Sequence, residues 1–327
     1  MAALDACIRT RLAGVDLASP IVAAAGTCGY MDELADAFDL RWLGAVTTKS
    51  ITPEERAGND PWRIIDVPGG MMNAIGLANV GLGKFLAEKL PYAANVTCPI
   101  FGSVAGHSVE DYVRVAAAFD ANTAFPIIEL NVSCPNTATG LQFGDDPSAL
   151  KALLAEVRPV VKRAKLFVKV SPNADVVNLS GAAVEAGADG LTLVNTVTAM
   201  SIDVHTRRPR LSRGRGGLSG PAIHPIAVRM VHDVYRAVAR PAGVPIIGLG
   251  GVLRWEDAAE FILVGASAVG VGTALFVDPR TPVALAKGLA QWVRAQGASS
   301  ITALVGAMEG CARLATNGVN STQFSTP

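Results

Sequence analysis

This sequence has few cysteines, and none of them are grouped. The five are Cys7, Cys28, Cys98, Cys134 and Cys311, and no two stand as a C-x-x-C pair. An odd, scattered set argues against a disulfide framework and fits reduced thiols in a cytoplasmic protein. It also leaves the chain no grouped thiolates for an iron–sulfur cluster of its own. Charge is scarce and balanced: 17% of residues are charged, with 28 basic against 28 acidic. There is no net charge to steer nucleic acid or an anionic membrane. Residues 1–20 lack a basic start followed by an apolar stretch, so no signal peptide is expected. The longest uncharged stretch, Phe261 to Val277, falls short of a membrane span. Its glycines at 265, 270 and 272 divide it into a helix end and a buried strand.

Apolar residues are abundant, half of 327, which is ample for a large core and argues against disorder. Short apolar runs alternate with longer Ala/Leu-rich stretches from about residue 20 to 290, as βα units on a parallel sheet do. Eight core strands are expected: Ile21–Ala25, Gly44–Thr48, Ile100–Val104, Ile127–Val132, Leu166–Val170, Gly190–Val194, Ile246–Leu249 and Ala268–Val271. Eight units predict a closed (β/α)8 TIM barrel, an α/β fold, rather than an open sheet. Gly187-Ala188 leading into one apolar strand is echoed by Gly265-Ala266 leading into another. Ile226, Met230, Val231, Val234 and Val238 recur near helical spacing and predict a barrel-wall helix. Before the first strand, Cys7–Arg11 and Val15–Leu17 flank Ala13-Gly14 and predict a small hairpin under the barrel. No stretch reads as a linker, so one domain over residues 1–327 is expected. Thr52–Val80 and Thr196–Gly220 are read as two long irregular loops following strand ends.

In such a barrel the active site is built just after the strands' C-terminal ends. Those positions hold Gly26, Lys49, Ser103, Asn131 to Cys134, Lys169, Asn195, Gly250-Gly251 and Gly272-Thr273. A solvated rim explains some polarity. It does not explain two lysines closing apolar strands, since unpaired buried lysine is costly. Lys49 and Lys169 therefore call for an anion inside the barrel mouth, against the plainer reading of a snorkelling surface cation. Gly250-Gly251 and Gly272-Thr273 end consecutive strands, with Gly220 in the loop before them. Glycine lets backbone N–H groups approach a phosphate, and phosphate sites after the last two strands are frequent in these barrels. Cys134, in Asn131-Val132-Ser133-Cys134-Pro135-Asn136, stands between two amides on a loop leaving a strand. A thiol there can serve as base or nucleophile. The other four cysteines fit inert core or surface positions.

These segments, taken in order, resemble the dihydroorotate dehydrogenase family over about residues 12 to 310. The match is carried by Ala24-Ala25-Gly26-Thr27, Thr48-Lys49-Ser50, Asn73-Ala74-Ile75-Gly76-Leu77, the Asn131–Asn136 motif and Val168-Lys169-Val170-Ser171-Pro172-Asn173. Asn195-Thr196, Gly217-Leu218-Ser219-Gly220-Pro221-Ala222-Ile223, Gly248-Leu249-Gly250-Gly251 and Val271-Gly272-Thr273 complete it. Residues 140–147 and Ile202-Asp203 with Thr206-Arg207-Arg208-Pro209 are similar to class 1B, the catalytic subunit with a cysteine base. His224 stands where the family has lysine, Ala199 near a glycine, and Thr137-Ala138-Thr139 replaces a more basic stretch.

The resemblance implies FMN held by Ala25, Gly26, Lys49, Ser50, Ser103, Asn131, Lys169, Val194, Gly220, Gly250, Gly251, Gly272 and Thr273. Lys169 would face the flavin's N1/O2 edge. Dihydroorotate would meet Lys49, Asn73, Ala74, Ile75, Gly76, Leu77, Asn131, Asn195 and Thr196, with Cys134 taking its C5 proton. The resemblance further implies a homodimer or heterotetramer with a subunit carrying FAD and a [2Fe–2S] cluster that reduces NAD. No metal site is expected. Two other readings are an FMN barrel of the dihydropyrimidine dehydrogenase kind and a non-redox phosphate-binding aldolase or isomerase with Lys169 as a Schiff-base lysine.

Overall fold

The computed structural model describes residues 4–133 and 143–310. Its centre is a closed barrel of eight parallel strands. They are β1 Ile21–Ala23, β2 Ala45–Thr47, β3 Ile100–Val104, β4 Ile127–Asn131, β5 Lys165–Val170, β6 Gly190–Leu193, β7 Ile246–Leu249 and β8 Ala268–Val271. Each pairs with the next, and β8 returns to β1 with Val269 opposite Ile21. All eight strands fall where the apolar runs placed them, within two residues at the ends.

The outer layer includes α1 Val109–Asp120, α2 Pro147–Val157, α3 Val176–Glu185, α4 His224–Val234, α5 Trp255–Leu263 and α6 Thr281–Ala295. Side-chain oxygens of Ser108, Asp146 and Asp175 accept backbone N–H groups at the starts of α1, α2 and α3. Helices α3 and α5 both end at a glycine with positive φ, Gly187 and Gly265, a conformation that a Cβ disfavours. The following N–H groups, of Ala188 and Ala266, reach back to the carbonyls of Ala183 and Phe261. The Gly-Ala echo is thus a repeated helix stop. In α4, Met230, Val231 and Val234 are buried, but Ile226 is exposed and Ala227 takes the inward position. Among the described residues, no helix is long and apolar enough to cross a membrane.

The barrel's lower interior is packed solid. Val22, Ala45, Phe101, Ile127, Phe167, Ile247 and Ala268 form one cluster, closed from below by Leu12 and Leu17. Each fully buried Leu contributes roughly 1.5–3 kcal/mol by leaving water. Large rings fit because small residues face them: a Cβ at Gly190 would lie 2.1 Å from the Phe167 ring. The plugging hairpin pairs Thr10–Leu12 with Val15–Leu17, and Cys7 lies instead in a short 3-10 helix, Ala6–Ile8. The hairpin's first strand therefore begins at Thr10. Its hydroxyl is buried and donates to the Ser267 carbonyl at 2.9 Å.

The two regions read as irregular loops are partly strand. Ile64–Val67, Gly70–Asn73, Gly216–Ser219 and Val197–Ala199 form a four-stranded antiparallel sheet. A further pair joins Ile202–Asp203 to Arg208–Pro209. The four-stranded sheet draws its strands from both long segments, so no local pattern announces it. Asn73 opposite Gly217 is the register that joins them.

Candidate active site

The residues ending the strands converge on one cavity of about 250 Å³. Of the residues expected at the site, Ala25, Gly26, Lys49, Ser50, Asn73, Ile75, Leu77, Asn131, Lys169, Val194, Asn195 and Thr196 line it. Gly220, Gly250, Gly251, Gly272 and Thr273 line it too. Ser103, Ala74 and Gly76 do not. Ser103 is fully buried behind Ser50, because β3 points it inward one layer below the rim. Ala74 and Gly76 lie in the same turn as the lining residues Ile75 and Leu77. Cys134 lies outside the described residues.

A line of hydrogen bonds fixes the amides. The Ser103 and Ser50 hydroxyls are 2.9 Å apart, and Asn131 Nδ2 donates to Ser50 Oγ at 3.3 Å. Asn131 Oδ1 accepts from Asn195 Nδ2 at 3.1 Å, and Asn195 Oδ1 accepts from the Thr196 N–H at 2.8 Å. Both carboxamides are thereby oriented, each with an N–H remaining for a ligand. Ser103 acts through this line, one contact from the cavity, behind Ser50.

The two lysines differ in setting. Lys169 is 6% exposed, lies in register between Asn131 and Thr192, and forms no ion pair among the described residues. Lys49 is half-buried, with its Nζ 3.8 Å from where a Cβ on Gly26 would stand. Burial holds its ammonium pKa below the ordinary value, the Arg63 guanidinium lowers it further, and Cys28 opposes both. A desolvated cation with no anion among the described residues suits a negatively charged ligand.

A third feature is the turn after the Gly70–Asn73 strand. Gly76 and Leu77 are successive residues with φ of 76° and 57°. Asn59 takes the carbonyls of Ala74 and Ile75, and Arg56 that of Gly76. Successive N–H groups in this conformation make a concavity for an anion such as a carboxylate.

The glycine end is built by close approach. A Cβ on Gly251 would stand 2.7 Å from the Gly220 carbonyl oxygen and 2.8 Å from His224 Cβ. Gly272 is different: its nearest neighbours are 3.8 Å away, so a Cβ there would enter the cavity. Thr273 Oγ1 donates to Ser219 Oγ at 2.8 Å, adding a second hydroxyl that the sequence did not single out. His224, at the family's lysine position, bonds the Gly250 carbonyl through Nδ1 at 2.8 Å. Its Nε2 is 3.4 Å from Glu260 Oε2 but outside hydrogen-bonding geometry. His224 therefore braces the turn. We expect Gly251→Ala to lower retention of a phosphate-bearing ligand at least tenfold, measured by ligand content after gel filtration, because backbone must move to admit the methyl.

The sequence also missed the cavity's apolar wall, which includes Ile64, Met71, Ile223, Leu253 and Phe276. It missed Asn173 as a brace: its amide reaches Ser171 Oγ, the Thr196 carbonyl and the Thr198 N–H, tying β5 to the covering sheet. Of the inert cysteines, Cys28 and Cys98 are buried, and burial pushes both thiols up to about 12. Among the described residues no three His, Cys, Asp or Glu could hold a metal.

Residues 7–293 match the sequence profile of the family described as dihydroorotate dehydrogenase. The chain belongs to the dihydroorotate dehydrogenase family. It is 46% identical over 300 residues to dihydroorotate dehydrogenase B (NAD(+)), catalytic subunit, of Pelobacter propionicus, covering 91% of this chain and 97% of that one. The protein of the same name from Trichlorobacter lovleyi is 43% identical over 301 residues, again 91% and 97%. A Solibacter usitatus relative, 45% identical over 307 residues (92% and 98%), is named instead for dihydroorotate dehydrogenase A (fumarate). Relatives named for the NAD(+) type and one named for the fumarate type thus both resemble this chain.

Proposed function

We propose that this chain oxidises dihydroorotate to orotate for pyrimidine biosynthesis, using FMN. The observation that carries this reading is the joining, in one cavity, of a glycine-and-hydroxyl end with an end made of two lysines and three asparagines. Gly220, Gly250, Gly251 and Gly272, with Ser219 and Thr273, would hold the FMN phosphate; Gly272 and Gly26 leave space where a ligand can lie against backbone. Ala25, Ser50, Val194, Asn131 and Lys169 would hold its ring. FMN, when bound, supplies a two-electron acceptor for the substrate's C6 hydride.

The chain's own residues do the rest. Lys169 places a positive charge beside the ring edge where negative charge develops, which is electrostatic preorganisation. Lys49 and the Gly76-Leu77 N–H groups receive the substrate carboxylate. Asn73, Asn131 and Asn195 match the ring amides, and Thr196 adds a hydroxyl. Cys134 takes the C5 proton. The four-stranded sheet over the barrel mouth excludes water from these steps.

Electrons would leave through a partner subunit carrying FAD and a [2Fe–2S] cluster to NAD, in a heterotetramer, within the cytoplasm. Exposed Leu253, Phe276 and Val277 at and beside the cavity rim offer such a partner an apolar landing surface. The test is direct. Purified protein is expected to be yellow, to bind orotate with a perturbed flavin spectrum, and to ignore uracil. Colourless protein that binds a sugar phosphate would overturn the redox reading in favour of an aldolase or isomerase; a uracil response would favour the dihydropyrimidine dehydrogenase kind. Turnover compared with NAD, fumarate and quinone, with and without the partner, assigns the acceptor.

A further inference from the structure

One buried acid has no part in the steps above. Glu129 lies in the middle of β4, 4% exposed, facing the barrel interior beside Phe167 and Ser103. Its Oε2 accepts a hydrogen bond from Thr192 Oγ1 at 2.7 Å, and its Oε1 is buried with no partner. An ionised carboxylate with one bare oxygen in an apolar interior is strongly disfavoured unless a cation is near.

The complementary deficit is Lys169. It is buried, has no ion pair among the described residues, and is in register with Thr192 on one side and Asn131 on the other. Asn131 is two residues beyond Glu129 on the same strand, so both face inward. The Glu129 carboxylate crosses β5 to reach Thr192, and Lys169 is the β5 residue paired with that threonine. An ammonium with no ion pair among the described residues thus lines the cavity, and a bare carboxylate oxygen lies in the barrel interior one layer beneath it. We infer that Glu129 is the buried counter-charge of Lys169, a positioning residue that holds the ammonium at the cavity floor and moderates its pull on the bound flavin. The part concerning flavin rests on the FMN reading above; the pairing itself does not.

The experiment has two arms so that the two ideas fail separately. In ligand-free protein, thermal unfolding of Glu129→Gln, Lys169→Met and the double variant forms a double-mutant cycle. Each single variant strands a buried charge and should melt lower than wild type, and the double should melt higher than additivity allows. Additive melting shifts would overturn the pairing, whatever the cofactor. In FMN-loaded protein, Glu129→Gln removes the moderating charge while keeping an oxygen for Thr192. Its reduction equilibrium should shift about tenfold toward the reduced form, about 30 mV upward for a two-electron couple. Glu129→Asp keeps the charge and should stay near the wild-type potential. An unchanged potential in Glu129→Gln, or the same shift in both variants, overturns the electrostatic role. If Glu129→Gln does not fold, folded Glu129→Asp with wild-type potential supports the inference, and loss of both variants marks a packing role and ends it.

Discussion

Replacing Cys134 by alanine should leave FMN and orotate bound and slow flavin reduction by dihydroorotate by about 10²- to 10⁴-fold, the usual worth of a positioned general base. The expectation follows from what surrounds the position in the chain. Three residues before it, β4 ends at Asn131, in a hydrogen-bonded line that fixes both site amides. A substrate gripped by those amides is held at the start of the Cys134 segment. The described cysteines offer no substitute, since burial pushes Cys28 and Cys98 up to about 12, and Cys7 lies in the Ala6–Ile8 turn before the barrel's first strand. With an unperturbed thiol near 8.5, the wild-type rate of reduction should climb with pH to about that value and level off. Cys134→Ser should retain part of the rate and shift the climb to higher pH, because a hydroxyl is a weaker acid than a thiol. Stopped-flow bleaching of the flavin separates this step from acceptor chemistry. Should Cys134→Ala reduce its flavin within about threefold of the wild-type rate, the base lies elsewhere.

The barrel was legible because each of its strands is a short apolar run bounded by polar or glycine residues. The lysines were legible for the same reason: Lys169 is a cation in a run that is otherwise buried. Glu129 carries the same signal, an acid inside the apolar Ile127–Asn131 strand, but a residue in mid-strand does not fall at the rim where sites are sought. The covering sheet was not legible. Its central pairing joins Asn73 to Gly217, 144 residues apart, through strands rich in glycine and methionine with no clean alternation. Cys7 and Ile8 misled in a smaller way, since they read as the start of the hairpin's first strand, whereas the Asp5 side chain accepts the Cys7 N–H and turns them into a 3-10 helix. The apolar cavity wall had no distinguishing mark. Met71 or Phe276 in sequence looks like any core residue, and only the closing of the barrel leaves it facing a cavity. His224 shows the converse, a departure from the family's lysine whose meaning comes from its bond to the Gly250 carbonyl.

Lys49→Met should make the ligand-free protein more stable and the enzyme far worse. Lys49 is held half out of water with no anion beside it among the described residues, so its charge opposes folding. Its folded pKa lies below the ordinary lysine value, chiefly through burial and then through Arg63. Between that lowered value and the unfolded value of 10.5, the unfolded chain binds more protons, so wild-type stability rises with pH across this window. Below the window both states are charged and the penalty is fully present. The melting advantage of Lys49→Met should therefore be largest at neutral and lower pH and shrink as pH climbs toward 10.5. Orotate binding should respond in the opposite sense. The bound carboxylate restores the anion that Lys49 lacks, and a hydrogen bond to a charged group is worth about 1.5–3 kcal/mol, or roughly 10- to 150-fold in affinity. Lys49→Met should lose that affinity at neutral pH, and wild-type affinity should decline as Lys49 itself deprotonates. A variant that melts no higher than wild type would mean the ammonium is already solvated. One that keeps orotate affinity within about twofold would move the carboxylate contact away from Lys49 and onto the Gly76-Leu77 turn alone.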